Sequence, residues 1–436
     1  MWRIKGGAKN GNNGHRFIWE KEALKLYIIL MWLLSPVLWG YTRIIGRKFA
    51  NERYIRQRLG RCRDYPKADI WLHAASVGEA RGLSPLIRGL KARYPHKRFL
   101  ITTNTVTGAK IVEQQICVPH AFLPIDWLSA TRNFLDQCQP ECALIMETEI
   151  WPVLYAELDK RGVPLLIVNG RLSSRSEAHL RWLQNLYRET LDHVTAVLAR
   201  SDVDKQRFIH QGAAPERVYA VGNIKFGSVR HKDLSPLAEL TRPYVLAAST
   251  HEDEEAQLLR LWEVLRLEEK PLLVIAPRHP HRADHILKIC RARGVEVSVR
   301  SKKQPITPRT ELYLADTLGE LEPLMVDALV VFMGGSLVDH GGHNILEPAL
   351  LGKAMVFGPF MTNFSEEARI FTQHHAAIQV LDADALADAM QSLLANKAQR
   401  EALGQRAQKL INEHADVVER YVARISQLCA LTESRM

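Results

Sequence analysis

The sequence predicts an α/β protein of two doubly wound, parallel-sheet halves behind an apolar N-terminal segment. Three observations carry that expectation. From about residue 69, short apolar runs of strand length alternate with helix-period segments and leave no room for hairpins. The alternation lapses once, at the polar, basic, Pro- and Gly-bearing stretch IKFGSVRHKDLSPLAELTRP (224–243), and then resumes. At 436 residues the chain is also long for a single core, which makes two domains the natural expectation.

The N-terminus comes first. Residues 1–22 form a polar extension in which GGAKNGNNG reads as disordered. LYIILMWLLSPVLWGY, residues 26–41, carries no charge and lies close to the minimum of about 17 residues for crossing a bilayer. Tyr27, Trp32, Trp39 and Tyr41 suit interfacial positions, and Pro36 would kink a helix there. A cleaved signal peptide would need an A-x-A site that is not evident, and a buried core helix is the other alternative. RIIGRKFANERYIRQRLGRCR (43–63), dense in Arg and Lys, marks a cytoplasmic side and suits anionic headgroups. The expectation is a membrane-anchor helix over 23–45, spanning the bilayer or lying in one leaflet.

The first domain is expected over 46–228. Its strands are DIWLHAA, RFLITTN, HAFLPID, CALIMET, PLLIVNG, AVLAR and VYAVGN. Between them, Leu83, Leu86, Ile87 and Leu90 show the spacing of one apolar helix face. After a linker at 229–243, the second domain is expected over 244–436. Its strands are YVLAAST, PLLVIAPRH, VEVSVR, ELYLAD, ALVVFMGGS and AMVFGP, with helices from Asp382 onward. Two such halves bring two sets of strand ends face to face. The cleft between them is the natural place for a nucleotide-linked substrate and its acceptor.

Several function classes lose support. Neither G-x-G-x-x-G nor G-x-x-x-x-G-K-[ST] occurs, which weighs against dinucleotide oxidoreduction and P-loop phosphoryl transfer. The net charge of +10 favours anionic partners, but no recognition motif or aromatic–basic interleaving supports nucleic acid. A non-catalytic anionic-lipid-binding protein would not need a second βα half with a phosphate loop. Six cysteines without a C-x-x-C pair fit reduced, buried thiols.

Four stretches carry candidate chemistry. HAASVGEARG (73–82) closes a strand on a small-residue turn and puts Glu79 at the start of an amphipathic helix. Either Ser76 caps that helix with Glu79 on the positive end of its dipole, or Glu79 is a catalytic carboxylate at a strand end. In ETEIWP (147–152), alternate positions on an extended chain would point Glu147 and Glu149 the same way, toward the cleft. Helix initiation beside Trp151-Pro152 is the plainer role for Glu149, and a paired-carboxylate glycosidase site would need no nucleotide half.

In the second half, FMGGSLVDHGGHNILEPALLGKAMVFGP (332–359) ends a strand at Gly334-Gly335-Ser336. Its DHGGH loop leads into a helix starting near Asn344. Exposed N–H groups of a glycine loop and a helix start favour a phosphate, and Glu347 can accept from ribose hydroxyls. A plain Gly-rich βα turn is the alternative. In APRHPHR (276–282), Arg278 at a strand end can hold an anion with its planar fork. His279, His281, His340 and His343 lack a matching carboxylate or third ligand at helical spacing. They read as exposed or capping residues rather than a metal site.

Together these motifs resemble the transferases of Gram-negative lipopolysaccharide synthesis that use 3-deoxy-D-manno-octulosonic acid (Kdo). The matching segments are HAASVGEA, ITTNTVTGAK, FLPIDW, METEIWP, VNGRLSSRS, ARSDVDKQRF, GNIKF, APRHPHR, LGELEPL, FMGGSLVDHGGHNILEPA and GPFMTNF, in that order along the chain. The resemblance implies a GT-B glycosyltransferase, two Rossmann-like domains facing across a cleft with an N-terminal membrane anchor. It implies inverting transfer of Kdo from CMP-Kdo to the lipid A precursor, lipid IVA, without metal or cofactor, on the cytoplasmic face of the inner membrane. The partners so implied are CMP-Kdo, the lipid acceptor and anionic inner-membrane lipids, with no nucleic acid.

Carried onto this sequence, the resemblance implies Glu79 as general base. It places CMP contacts on Pro277 and Arg278, on Gly319, Glu320 and Leu321, and on Asn344, Ile345, Leu346 and Glu347. Ser76, Gly78, Glu149 and Lys225 fall on acceptor or donor contacts. The polar residues before 23 depart from the family pattern, which an upstream start codon would account for. A GT-B transferase of UDP-sugars is the runner-up.

Overall fold

The computed structural model describes residues 13–172, 181–229 and 234–431. The chain forms two compact units, Met1–Ser228 together with Asp416–Met436, and Val229–Ala415. Among the described residues the first unit holds seven parallel strands: β1 (Ile70–Ala74), β2 (Phe99–Thr103), β3 (His120–Phe122), β4 (Cys142–Met146), β5 (Leu165–Gly170), β6 (Ala196–Ala199) and β7 (Val218–Ala220). They lie in the order β3-β2-β1-β4-β5-β6-β7. Ile70 pairs with Phe99 on one side and Cys142 on the other. Helices cover both faces, so β1 and β4 are buried along their whole length, as their uninterrupted apolar runs require.

The second unit repeats the design with β8 (Tyr244–Thr250), β9 (Leu272–Pro277), β10 (Val297–Val299), β11 (Leu312–Leu314), β12 (Val330–Met333), β13 (Ala354–Phe357) and β14 (Ile378–Gln379). The order is β10-β11-β9-β8-β12-β13-β14, again parallel. In each unit the chain starts in the middle of the sheet; the first winds outward both ways, whereas in the second β11 returns to lie between β9 and β10. The strand order therefore reverses beside β1 in the first unit and beside β8 in the second, and the carboxyl ends there form the crevice where α/β sheets bind ligands.

Three sequence expectations need correction. The expected single anchor helix over 23–45 is absent. Two helices, Asn13–Leu33 and Ser35–Lys48, meet at Leu34 with a bend of 57°, and no single helix among the described residues is long and apolar enough to cross a membrane. Pro36, in the first turn of the second helix, cannot continue the first one's hydrogen-bond ladder. The first helix begins at Asn13, inside the stretch expected to be a polar extension, because RFIWEKEALKL is rich in good helix formers. Residues 1–12 lie outside the described residues.

The inner side of this bent pair belongs to the first unit. Tyr27 hydrogen-bonds Asp126, whose carboxylate also accepts from Val153 N (3.0 Å) and Leu154 N (2.9 Å) and so caps the helix Pro152–Lys160. Burial pushes Asp126 up to about 6. Met31, Leu38 and Ile45 pack against a small core of Tyr54, Ile55, Leu59, Val106 and Phe122.

The second correction concerns the C-terminus. Asp416–Met436 joins the first unit rather than the second domain expected over 244–436. The helix Val417–Leu428 buries Val417, Val418, Tyr421, Val422 and Ile425 on one stripe. Tyr421 donates to the carbonyl of Gly222 (2.9 Å), just beyond β7. Gly89 allows close approach, since a Cβ there would lie 2.8 Å from Val418. The linker expected at 229–243 begins where the two units divide; residues 230–233 lie outside the described residues. Third, the cysteines are free, but Cys117 is exposed rather than buried, in a left-handed turn at φ 55°.

Candidate functional site

The first unit gathers three carboxylates at the carboxyl ends of β1 and β4. Beyond β1, Ser76 caps the helix Val77–Arg93 by accepting from Glu79 N (3.3 Å). The Glu79 carboxylate reaches back, accepting from Ala75 N (2.8 Å) and Ser76 Oγ (2.9 Å). This reciprocal arrangement is a capping box, so the structural role foreseen for Glu79 is real. A capping carboxylate on a helix dipole should titrate below its ordinary value. Glu79 instead rises from 4.5 to about 7, chiefly because burial outweighs the Ala75 and Ser76 donors, with repulsion from Glu147 and then Glu149 adding to the rise. Its carboxyl is thereby poised near neutrality.

Glu147 and Glu149 do not share a face by strand alternation. β4 ends at Met146, and Glu147 sits in a turn at φ 59°, buried and ion-paired to Arg171 (2.9 Å). Glu149 is half-buried near Asn104 Nδ2 (3.4 Å), and burial raises it while the Arg58 guanidinium pulls it down. Arg58, partly buried, donates to Asn104 Oδ1 (2.9 Å) and the Leu123 carbonyl (2.6 Å). Lys225 lies in the short helix Ile224–Ser228, and its stem runs 3.9 Å from where a Cβ on Gly82 would be. Glu79, Glu149 and Lys225 are thus brought to one helix start. Ser76 and Gly78 are exposed on the same turn. The VNGRLSSRS motif runs partly into residues 173–180, outside the described residues.

In the second unit the expected residues follow three strands, β11, β9 and β12. Pro277 ends β9, and exposed Arg278 bonds through its N–H to the Thr250 carbonyl at the end of β8 (3.0 Å). Gly319 adopts φ 85°, and Glu320 beside it accepts from Arg300 (2.7 and 2.9 Å) and Thr317, which holds its carboxyl down at about 2. Leu321 begins the helix Leu321–Val326. Asn344 Oδ1 accepts from Leu346 N (3.1 Å) and its Nδ2 donates to Glu347 (2.9 Å). Ile345 and Leu346 are buried. The helix expected to start near Asn344 is the short turn Leu346–Leu350.

The glycine loop also behaves differently from expectation. The N–H groups of Gly335 (2.7 Å), Ser336 (3.0 Å) and Leu337 (3.0 Å) all donate to the Glu254 carboxylate, which also accepts from His251 N (2.9 Å). An internal carboxylate occupies the nest that sequence reasoning offered to a phosphate. Gly341 and Gly342 serve packing, since a Cβ on either would fall within 2.4 Å of Asn363 or Met361.

Sequence reasoning missed the acidic and histidine-bearing segment after β8. Glu255 accepts from Thr250 Oγ1 (2.9 Å) and forms a buried two-pronged pair with Arg282 (2.6 and 3.2 Å). His251 lies with His340, His343 and His279 over Gly335. The signal was available in THEDEE, a dense charged run directly after a strand end. No group of three or more His, Cys, Asp or Glu side chains among the described residues is arranged to hold a metal ion.

Two doubly wound parallel-sheet domains in one chain, each with polar side chains at its strand-order reversal, define a protein of the GT-B fold type. A solved UDP-GlcNAc 2-epimerase from Neisseria meningitidis bound to UDP-GlcNAc shares that fold, with a TM-score of 0.51 at 13% identity over 82% of this chain and 99% of its own. The sequence profile of the 3-deoxy-D-manno-octulosonic-acid transferases (kdotransferases) matches residues 53–228. The 3-deoxy-D-manno-octulosonic acid transferase of Haemophilus influenzae is 32% identical over 414 residues, 90% of this chain and 96% of its own. That of Bordetella pertussis is 32% identical over 427 residues, 91% and 97% of the two chains. The chain belongs to the 3-deoxy-D-manno-octulosonic acid transferase family and is a glycosyltransferase.

Proposed function

We propose that this protein transfers Kdo from CMP-Kdo to the lipid A precursor, lipid IVA, by inverting displacement with Glu79 as the general base. The observation that carries this is the Glu79 carboxyl, lifted to about 7 at the strand-order reversal of the first unit. A base whose pKa lies near the working pH combines a useful ionised fraction with enough basicity to take a proton in the transition state.

In this reaction the acceptor hydroxyl attacks the anomeric carbon of Kdo as Glu79 removes its proton. The new C–O bond forms as the bond to the CMP phosphate breaks, and the leaving electron pair stays on phosphate. Arg278 and the Asn344–Glu347 turn hold the nucleotide, with Arg278 offsetting the charge that develops on it. Glu149 and Lys225 contact the reacting substrates beside Glu79. No metal is required, because a nucleoside monophosphate leaves with a single phosphate that cationic side chains can balance.

The lipid acceptor also suggests a use for the bent N-terminal pair. Trp32, Leu33, Val37, Tyr41 and Ile44 are exposed on it, Arg43 stacks on Trp39 at 4.2 Å, and Arg47 and Lys48 close its last turn. In the proposed setting this pair lies in the interface of the cytoplasmic leaflet of the inner membrane, apolar residues inward and cations on anionic headgroups.

The test is incubation of purified enzyme with CMP-Kdo and lipid IVA, with and without EDTA, alongside CMP and UDP in thermal-shift titrations. Transfer that survives chelation, with stabilisation by CMP and not UDP, is expected. Stabilisation by UDP alone would point to a UDP-sugar donor.

A further inference from the structure

The histidines over Gly335 have no part in the reaction as described. The His251 and His343 rings are nearly parallel (8°), and their Nε2 atoms are 2.9 Å apart. One nitrogen must donate and the other accept, so a single proton is shared and each ring turns its Nε2 toward the other. His340 stacks on His251 at 4.2 Å between ring centroids, and His279 meets it edge-on at 5.9 Å. Arg278 and Arg282 also face the pair.

The nearest carboxylates are already committed. Glu254 accepts four backbone N–H groups, and Glu255 pairs with Arg282. What remains over the Gly335 turn is a set of imidazoles and a guanidinium, which suits an anion. A metal fits poorly, because no group of three or more His, Cys, Asp or Glu side chains among the described residues is arranged to hold one.

We infer that the His251–His343 pair is the subsite that receives the donor's phosphate group, and that the pair opens its shared hydrogen bond and takes up one proton as the anion enters. The inference rests on the second unit binding a cytidine nucleotide. Without a ligand, burial first, and then the surrounding rings and arginines, keep both imidazoles down at about 4, so the pair is neutral. A phosphate oxygen needs N–H donors from both rings, and the shared bond leaves only one proton for the two Nε2 atoms. The accepting ring keeps its Nδ1 proton and takes a second one from solvent on Nε2, and the anion's charge stabilises the resulting imidazolium; a tautomer shift alone would supply the donor with no proton uptake.

Cytidine 5′-(methyl phosphate) tests this, because its phosphodiester carries one fixed charge and does not titrate near neutrality. Calorimetry from about pH 5 to 7 should show the dissociation constant rising about tenfold per pH unit, with about one proton taken up per ligand bound. His251→Gln and His343→Gln should each flatten that slope. A wild-type affinity that does not change with pH overturns the inference while leaving the nucleotide site intact. So does a slope that persists in both variants, which would place the proton on His279, His281 or His340. Failure of both CMP and the ester to bind at any pH overturns the donor reading, and the inference with it. A wild-type affinity without a slope overturns the inference even if a variant misfolds, and a single folded variant that keeps the full slope overturns it too.

Discussion

Glu79→Gln separates the two roles of Glu79, because glutamine can keep the capping box while losing the basic lone pair. Two readouts follow. The first is turnover. General-base catalysis is typically worth about 10²–10⁴-fold, and the variant should lose about that much with CMP binding unchanged. In the wild type, kcat/KM should fall about tenfold per pH unit below about 7, since only ionised Glu79 can accept the proton.

The second readout is stability against pH. The folded-state value of about 7 lies above the ordinary 4.5, so Glu79 favours the fold fully below 4.5, and this contribution is lost as pH rises through 7. A rise of about 2.5 pKa units, at about 1.36 kcal/mol each, sets the loss at about 3 kcal/mol at most. Glutamine does not titrate. Urea titrations at about pH 4.5 and 8 should therefore show the variant gaining on the wild type by up to that amount at the higher pH. If Glu79 is only a cap, turnover stays near wild type and the stability gap does not change with pH. Either result would refute the general-base assignment.

Glu149→Gln should move the inflection of the pH–rate profile to lower pH by less than about one unit, because burial is the larger cause of the Glu79 rise; an unmoved inflection would remove Glu149 from the cluster. Arg278→Ala and Glu347→Ala should each weaken CMP binding by about tenfold, as expected for lost hydrogen bonds to charged groups, and unchanged calorimetric affinity in both would refute their placement. Turnover should persist in excess EDTA; loss on chelation with recovery on adding magnesium would overturn the metal-free mechanism. Tyr27→Phe should lower stability by about 1–3 kcal/mol in urea, because Asp126 would be buried with one donor fewer. An unshifted midpoint would mean that the N-terminal helix does not dock there.

Both sheets were legible in the sequence because parallel strands buried on two faces must be continuous apolar runs. Only β14, two residues at a sheet edge, escaped. The failures share one cause, a partner distant along the chain. The apolar run at 26–41 has the composition of an anchor, and nothing local reveals that Tyr27 finds Asp126 about a hundred residues on. The stripe from Val417 to Ile425 predicts a helix but not that it returns to the first unit. Gly334-Gly335 has the chemistry of a phosphate loop, and only the fold shows Glu254 in the nest. Glu79 was legible as a candidate, but its altered titration was not, since that depends first on burial within the fold and then on Glu147 and Glu149 just beyond β4.

Glu79 and Glu254 show how one local device yields different chemistry. Each follows the first strand of its unit, after the similar stretches HAASVGEA and LAASTHEDEEA, and each turns its carboxylate back onto backbone N–H groups. In both, burial pushes the carboxyl upward. Glu254 accepts four backbone N–H groups and is fully buried, so protonating it or turning it away would strand donors in the interior. Glu79 accepts one backbone N–H and one hydroxyl, on a turn where Ser76 and Gly78 face solvent. The Ser76 hydroxyl can rotate to another acceptor, and water can reach Ala75 when the carboxylate swings or takes a proton. The second unit therefore uses its glutamate to brace the loop over which the histidines sit, whereas the first holds its glutamate by fewer donors and beside solvent, as the proposed proton transfer requires.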